Sequence, residues 1–331
     1  MRALVTFLSG LFLLAVFAAG GGLYGAYMFE APGPSTEDQV VSIRSGTGLS
    51  SVTRLLQERG VIDEPFLFKN IARIRGDAQR LRAGEYAIPA GASMANVLDI
   101  LKTGKAILHK LTIPEGLSVT EALKRITTHE TLTGAITLTP TEGSLKPDTY
   151  LFERGQTRDD LIKKMIAAQI ETLDRLWESR AEGLPVTTKE EVLILASVVE
   201  KETGVPEERP MVAGVFVNRL RKGIRLQSDP TVVYGITGGS GPLGRGLRQS
   251  ELKKKTPYNT YTIDGLPKGP IANPGEASIA AVLQPAQTKA LFFVADGTGG
   301  HAFAETNREH LKNVRAWRKI EKQRKKQQQA N

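Results

Sequence analysis

Three stretches of the chain repeat one order of polar and apolar positions. Each has a glycine, a short polar link, and then apolar residues three and four apart, the spacing of one helical face. The predicted helices follow Gly46 through Leu49, Val52, Leu55 and Leu56, Gly91 through Met94, Val97, Ile100 and Leu101, and Gly116 through Val119, Ala122, Leu123 and Ile126. Strand-like runs at 40–43, 86–88 and 108–113 precede them, so each reads as a small strand-then-helix unit. Two or three such units make a compact accessory domain. Farther on, the pattern predicts helices over 157–180, 189–203 and 210–221. Thr188 with Glu191 forms a capping box at the start of the second, and Gly204 with Pro206 ends it. After Gly223 the chain becomes polar and loop-rich, with short strands such as 291–295, so the class is α+β.

At the N-terminus the pattern changes to 27 consecutive uncharged residues, 3–29, where about 20 suffice to cross the hydrocarbon core. Arg2 precedes this run and Glu30, Glu37 and Asp38 follow it, which puts the N-terminus in the cytoplasm and the rest outside. A cleaved signal peptide ending near Val16-Phe17-Ala18 is the competing reading. Against it, the apolar run continues through Leu23, Tyr24, Tyr27 and Met28, and the two tyrosines suit a membrane interface. Ala31-Pro32-Gly33-Pro34-Ser35-Thr36 then reads as a linker.

Composition narrows the chemistry. At roughly 150 residues per domain, 331 residues make about two domains. Hydrophobic residues at 40% and charged residues at 24% exclude wholesale disorder and a polytopic membrane protein. With no cysteine, there is no disulfide, thiolate catalysis or Cys-ligated zinc. The four histidines, His109, His129, His301 and His310, include no helical metal pair, so neither a metal nor a cofactor is expected. The net charge of +9 is local: residues 308–331 hold nine basic side chains against Glu309 and Glu321. That tail reads as a solvated helix with a frayed end, with an anionic surface as the functional alternative, and nucleic acid is not an expected partner.

The run Val192 to Val199 is apolar almost all round, which predicts a buried helix. Glu200 and Glu202 end it. At about 100° per residue they point about 200° apart and cannot act as one acid and base pair. Glu202 follows Leu195, Val198 and Val199 on the more apolar stripe, whereas Glu200 follows Leu193, Ala196 and Ser197. A carboxylic acid held against apolar groups at a helix C-terminus keeps its proton to higher pH and serves as a donor. The plain alternative is that Glu202 emerges into water beyond the last buried turn. Ser197 has no histidine near it in sequence, Gly238-Gly239-Ser240-Gly241 lacks a phosphate-binding lysine and reads as a flexible loop, and Asp296-Gly297-Thr298-Gly299-Gly300 reads as a hairpin turn.

With Ser197-Val198-Val199-Glu200-Lys201-Glu202-Thr203 and the motifs around it, the chain resembles the endolytic murein transglycosylases, the YceG-like family. The resemblance extends from Glu142-Gly143 and Pro147-Asp148-Thr149-Tyr150, through Val217-Asn218-Arg219-Leu220, to Arg225-Leu226-Gln227-Ser228-Asp229-Pro230-Thr231 and Tyr234-Gly235. It continues through Tyr258-Asn259-Thr260-Tyr261, Gly265-Leu266-Pro267 and Pro270-Ile271-Ala272-Asn273-Pro274-Gly275 to Phe293-Val294-Ala295-Asp296-Gly297 and Gly300-His301. It implies an inner-membrane anchor (1–29), a linker (30–37), a lysin-motif-like accessory subdomain (38–105), a catalytic domain (106–317) and a basic, Gln-rich tail (318–331). It implies Glu202 as the catalytic acid and base of a lytic cut in peptidoglycan glycan strands that leaves 1,6-anhydro ends, with peptidoglycan synthases as partners. Lys146 departs from the family pattern, which has an aromatic before the proline, and with it goes a stacking contact to sugar.

Gln227, Asn259, Tyr261 and Asn273 are the candidates for dipoles around a developing oxocarbenium, and each reads equally as a turn or core-edge residue. Arg219 and Asp229 are either an ion pair or substrate contacts. Two other functions stay open. A hydrolase needs a second carboxylate, Asp229 first and Asp148 second. A non-catalytic wall-binding scaffold needs only the accessory repeats.

Overall fold

The structure, a computed structural model, describes residues 2–44, 46–104 and 106–330. Met1, Lys105 and Asn331, which bound the expected anchor, accessory subdomain and tail, lie outside the described residues. The chain divides into two compact units, one of residues 1–110 with 131–133 and 151–156, the other of 111–130, 134–150 and 157–331.

The first unit opens with α1 (Arg2–Glu30), whose segment Leu4–Glu30 is long and apolar enough to cross a membrane. Its large side chains are exposed until the last turn, where Phe29 is buried. Then come β1 (Gln39–Ile43), α2 (Leu49–Glu58), α3 (Pro65–Ile74), β2 (Gly84–Ile88) and α4 (Met94–Thr103). β1 and β2 pair antiparallel, Gln39 opposite Ile88 and Ile43 opposite Gly84. Side chains alternate across a strand, and Val41, Ile43, Tyr86 and Ile88 are buried on one face under Val52, Leu56, Phe68, Val97 and Leu101. The first two strand-then-helix repeats thus fold as the pattern indicates. α3 lacks the glycine-led signature, because a proline supplies its first turn instead.

The third repeat also forms, as β3 (Leu108–Ile113) and α5 (Val119–Thr128), yet it does not extend the first sheet. β3 pairs with β4 (Asp148–Glu153), and α5 belongs to the second unit. That unit continues with α6 (Arg158–Glu178), α7 (Lys189–Glu202) and α8 (Arg209–Arg221). In α7 the Thr188 hydroxyl accepts from Glu191 N at 3.1 Å and Glu191 Oε2 accepts from Thr188 N at 3.2 Å, the predicted capping box. Val192, Leu195, Ala196, Val198 and Val199 are buried at the centre of its core.

The stretch after Gly223 is less irregular than its composition indicates. It holds α9 (Asp229–Thr237), α10 (Gln249–Lys253) and α11 (Glu276–Leu283). Helices of one to three turns show too little of a 3.6-residue period to stand out among polar residues. β5 (Phe292–Ala295) and β6 (His301–Ala304) then form an antiparallel hairpin. Asp296 Oδ1 accepts from Thr298 N at 2.7 Å in its turn, as expected of that glycine-rich pentapeptide. α12 (Asn307–Ala330) packs against the hairpin, and the basic segment stays helical through Ala330.

Candidate active site

Glu202 is the last residue of α7, held where the buried stripe of the helix ends. The Ser228 hydroxyl donates to Glu202 Oε1. Burial pushes the Glu202 carboxyl up to about 7, the bond from Ser228 pulls it back in part, the charge of Asp229 raises it, and His301 and Arg219 lower it. A carboxylic acid in that range is half-protonated near neutral pH and can both give and take a proton.

The chain reaches Glu202 through a constrained turn. Gln227 has φ 52, the non-glycine residue with a left-handed backbone among the described residues. Its N–H donates to Thr260 O at 3.1 Å and its Oε1 accepts from Arg219 Nη1 at 3.4 Å. Arg219 is 7% exposed and also donates to the carbonyls of Leu291 at 2.6 Å, Leu226 at 2.8 Å and Arg225 at 3.2 Å. The guanidinium thereby shapes the turn and presents Ser228, whose N–H donates to Thr260 Oγ1 at 2.9 Å, to the carboxyl.

Arg219 and Asp229 form no ion pair with each other. Asp229 Oδ1 accepts from the Tyr261 hydroxyl at 2.7 Å, and burial with that neighbouring charge pushes the Tyr261 phenol up, so it stays protonated. Asn259 Nδ2 donates to the carbonyls of Glu251, Leu252 and Lys254 at 3.2, 3.1 and 2.7 Å, while its Oδ1 accepts from Tyr261 N at 2.9 Å. Asn273 is fully buried; it accepts from Leu145 N at 3.0 Å and donates to Leu117 O at 2.9 Å. Glu202, Arg219, Gln227, Asp229 and Tyr261 therefore converge. Asn259 and Asn273 commit their polar atoms to backbone. Asp148, the other candidate second carboxylate, is exposed and accepts from the N–H of Thr149 at 2.7 Å.

Two features carried no assigned role in the sequence. Ser228 lies inside the quoted 225–231 motif, but nothing in its spacing announces a partner 26 residues away. Glu208 accepts from His301 N and His301 Nδ1, each at 2.7 Å, and from Thr203 Oγ1 at 3.1 Å, joining the end of α7 to the β5–β6 hairpin. Burial raises the Glu208 carboxyl, and the His301 bonds outweigh it and hold it below the usual range.

Glu200 faces elsewhere, as the helical-wheel angle requires. Its side chain is 5% exposed, and its Oε2 accepts from Gly275 N at 3.0 Å and Ser278 Oγ at 2.7 Å at the N-terminus of α11. Arg209 Nη2 bridges Glu200 Oε1 at 3.4 Å and Glu115 Oε2 at 3.0 Å. A Cβ on Gly275 would lie 1.9 Å from Glu115 Oε1, so any larger residue there would have to displace the Glu115 side chain. Lys146, at the position where an aromatic is expected, pairs with Glu276 at 3.4 Å. No cluster of three metal-ligating side chains occurs among the described residues.

Residues 41–316 match the YceG-like family. The endolytic murein transglycosylase of Bacillus subtilis (strain 168) is 30% identical over 326 residues, covering 88% of this chain and 89% of that protein. The endolytic murein transglycosylase of Streptococcus pneumoniae serotype 2 (strain D39 / NCTC 7466) is 27% identical over 360 residues, 93% of this chain and 64% of that longer protein. A crystal structure of a yceG-like protein from Listeria monocytogenes is 28% identical with a TM-score of 0.50, covering 84% of this chain and 99% of that one.

Proposed function

Because the chain belongs to the YceG-like family, we propose that it is a lytic transglycosylase that cuts peptidoglycan glycan strands internally, with Glu202 as its acid and base. One observation carries this reading: a carboxyl raised to about 7 with a serine hydroxyl fixed on one oxygen. Glu202 gives its proton to the glycosidic oxygen as the bond from C1 of the muramic sugar breaks. The resulting carboxylate then takes the proton of the same sugar's C6 hydroxyl as O6 bonds to C1. The product is a 1,6-anhydro end, Glu202 regains its proton, and no water is consumed. A single carboxyl suffices, whereas hydrolysis needs a second one to activate water or attack the sugar.

In this reading Tyr261 and Gln227 face the sugar with polar groups, and Asp229 orients the Tyr261 hydroxyl. Arg219, Asn259 and Asn273 position the loops that carry them. The charge of Asp229 beside Glu202 supports a second reading, hydrolysis with Asp229 as base. Reducing ends in the product would establish it. Incubating purified sacculi with the full chain should release soluble fragments, and Glu202→Gln should release none.

The same proposal places α1 in the inner membrane with its N-terminus in the cytoplasm and the remainder outside, to be checked with reporters fused at either end. Residues 38–105 would act as a lysin-motif-like glycan holder beside a catalytic domain over 106–317. Cutting near sites of strand synthesis makes peptidoglycan synthases the expected partners. Membrane crosslinking that captures none would remove them from the account.

A further inference from the structure

By composition the segment 31–36 reads as a linker, yet it straps α1 to the subdomain that follows. Gly33 N–H donates to Gly91 O at 3.1 Å, Gly91 N–H donates back to Ser35 O at 2.7 Å, and Ala90 N–H donates to Asp38 Oδ1 at 2.9 Å. A Cβ on Gly33 would lie 2.3 Å from Ala92 O, so the strap runs flush against the loop before α4. The end of α1 is itself part of the core: Phe29 is 1% exposed, and the Arg75 guanidinium stands 4.8 Å over its ring. One turn earlier, Gly25 leaves room for Leu67 of α3, whose Cδ1 would stand 3.4 Å from a Cβ there. α1 packs on both α3 and α4 within one compact unit, so the pose of α3 on a membrane follows from that of α1.

Helix length sets the depth of α3. The 27 residues of Leu4–Glu30 rise about 40 Å, about 10 Å more than the hydrocarbon core needs. With Arg2 holding the inner end, the surplus is the outer stretch that carries Tyr24 and Tyr27, at the level of the headgroups. Gly25 lies in that stretch, so Leu67 and the turn of α3 around it meet the membrane surface. What α3 exposes fits that surface. Phe66, Asn70, Arg73 and Ile74 are spaced along one helical face. Phe66 is 79% and Ile74 85% exposed, the most exposed large apolar side chains outside α1 among the described residues. Lys69, Arg73 and Arg75 accompany them, and no carboxylate lies between Pro65 and Gly76, although Asp63 and Glu64 stand just before the helix.

We infer that α3 is a second membrane contact: Phe66 and Ile74 enter the leaflet at the outer end of α1, while Lys69 and Arg73 reach lipid phosphates. The inference rests on the anchor reading above. An amphipathic helix lying in an interface buries its apolar side chains at the acyl boundary, and its long basic side chains lift their charges to the headgroups. A protein partner fits less well, because the bilayer around α1 already occupies the space beside Leu67. The contact fixes the subdomain on the membrane with the bare face of the β1–β2 sheet turned away from α3.

The chain has no cysteine, so single cysteines can carry a spin label. The full chain is placed in vesicles of equal parts phosphatidylethanolamine and phosphatidylglycerol and labelled in turn as Tyr24→Cys, Phe66→Cys, Ile74→Cys and Ser42→Cys. Tyr24 is exposed on α1, and Ser42 is exposed on the sheet face away from α3. Oxygen concentrates in lipid and a nickel chelate stays in water, so the ratio of their relaxation effects reads immersion. Labels at Phe66 and Ile74 should give a ratio several-fold above that at Ser42 and close to that at Tyr24. Lys69→Glu combined with Arg73→Glu should lower the ratio at Phe66. Labels at Phe66 and Ile74 that match Ser42 while Tyr24 reads as lipid overturn the proposal, as does shielding from both reagents, which marks a protein contact. An unchanged ratio in the double-glutamate variant overturns the phosphate contact. A Tyr24 label that reads as water contradicts instead the anchor reading on which the proposal rests.

Discussion

Ser228 donates its hydroxyl hydrogen to Glu202 Oε1 from a position that is 1% exposed. The bond stabilises the carboxylate, offsetting part of the burial that favours the acid. It also leaves Oε2 as the oxygen free to carry the transferable proton.

Ser228→Ala should therefore raise the Glu202 pKa. A hydrogen bond to a charged group contributes about 1.5–3 kcal/mol, which corresponds to about one to two pH units. The alkaline limb of the pH–rate profile should move upward by that amount while kcat falls. Ser228→Thr should restore the original limb. Loss of activity with an unmoved limb would assign Ser228 a packing role only.

Glu202→Gln should stabilise the fold at neutral and alkaline pH. The folded pKa of about 7 lies above the ordinary glutamate value of 4.5, so the native state retains a proton that the unfolded chain has lost between those values. The contribution of Glu202 to stability is fully present below 4.5 and is lost as pH rises through about 7, a change of roughly 3 kcal/mol. Glutamine has no such dependence. Denaturant unfolding at pH 8 should show the variant ahead of wild type, and the gap should close below pH 4.5.

The sequence pattern itself marks the end of α7 as a place for a shielded carboxyl. The apolar stripe through Leu195, Val198 and Val199 placed Glu202 against the core, and the capping box at Thr188 set where the helix begins. What period and composition do not encode is which distant hydroxyl meets the carboxyl. Ser228 is presented by a left-handed Gln227 and a buried Arg219, both tertiary features. Asn259 and Asn273 read equally as site dipoles and as turn or core-edge residues, because buried and site-facing amides have the same sequence signature. The third strand-then-helix repeat carries the same local signal as the first two, and only strand pairing assigns it elsewhere.

Glu200→Gln should keep substantial turnover with an unchanged alkaline limb. Its carboxylate ties Gly275, Ser278 and Arg209 together, so the loss appears as stability, about 1–3 kcal/mol. A folded but inactive Glu200→Gln alongside an active Glu202→Gln would reverse the assignment of the two glutamates.

Arg219→Lys should behave as a severe change. A lysine cannot reproduce the planar fork that reaches Leu291, Arg225 and Leu226 together, and stability should fall by roughly 2–4 kcal/mol. Activity should fall further than stability at a permissive temperature, because the Gln227–Ser228 turn loses its support. A variant of normal activity and stability would remove Arg219 from the site.

Mass spectrometry of the glycan ends released by the full chain tests the central claim most directly. If Glu202 alone acts as acid and then base, the new muramic ends are 1,6-anhydro, lighter by one water than reducing ends, and Glu202→Gln yields neither. Reducing ends that incorporate oxygen from labelled water would contradict the account and transfer the chemistry to hydrolysis.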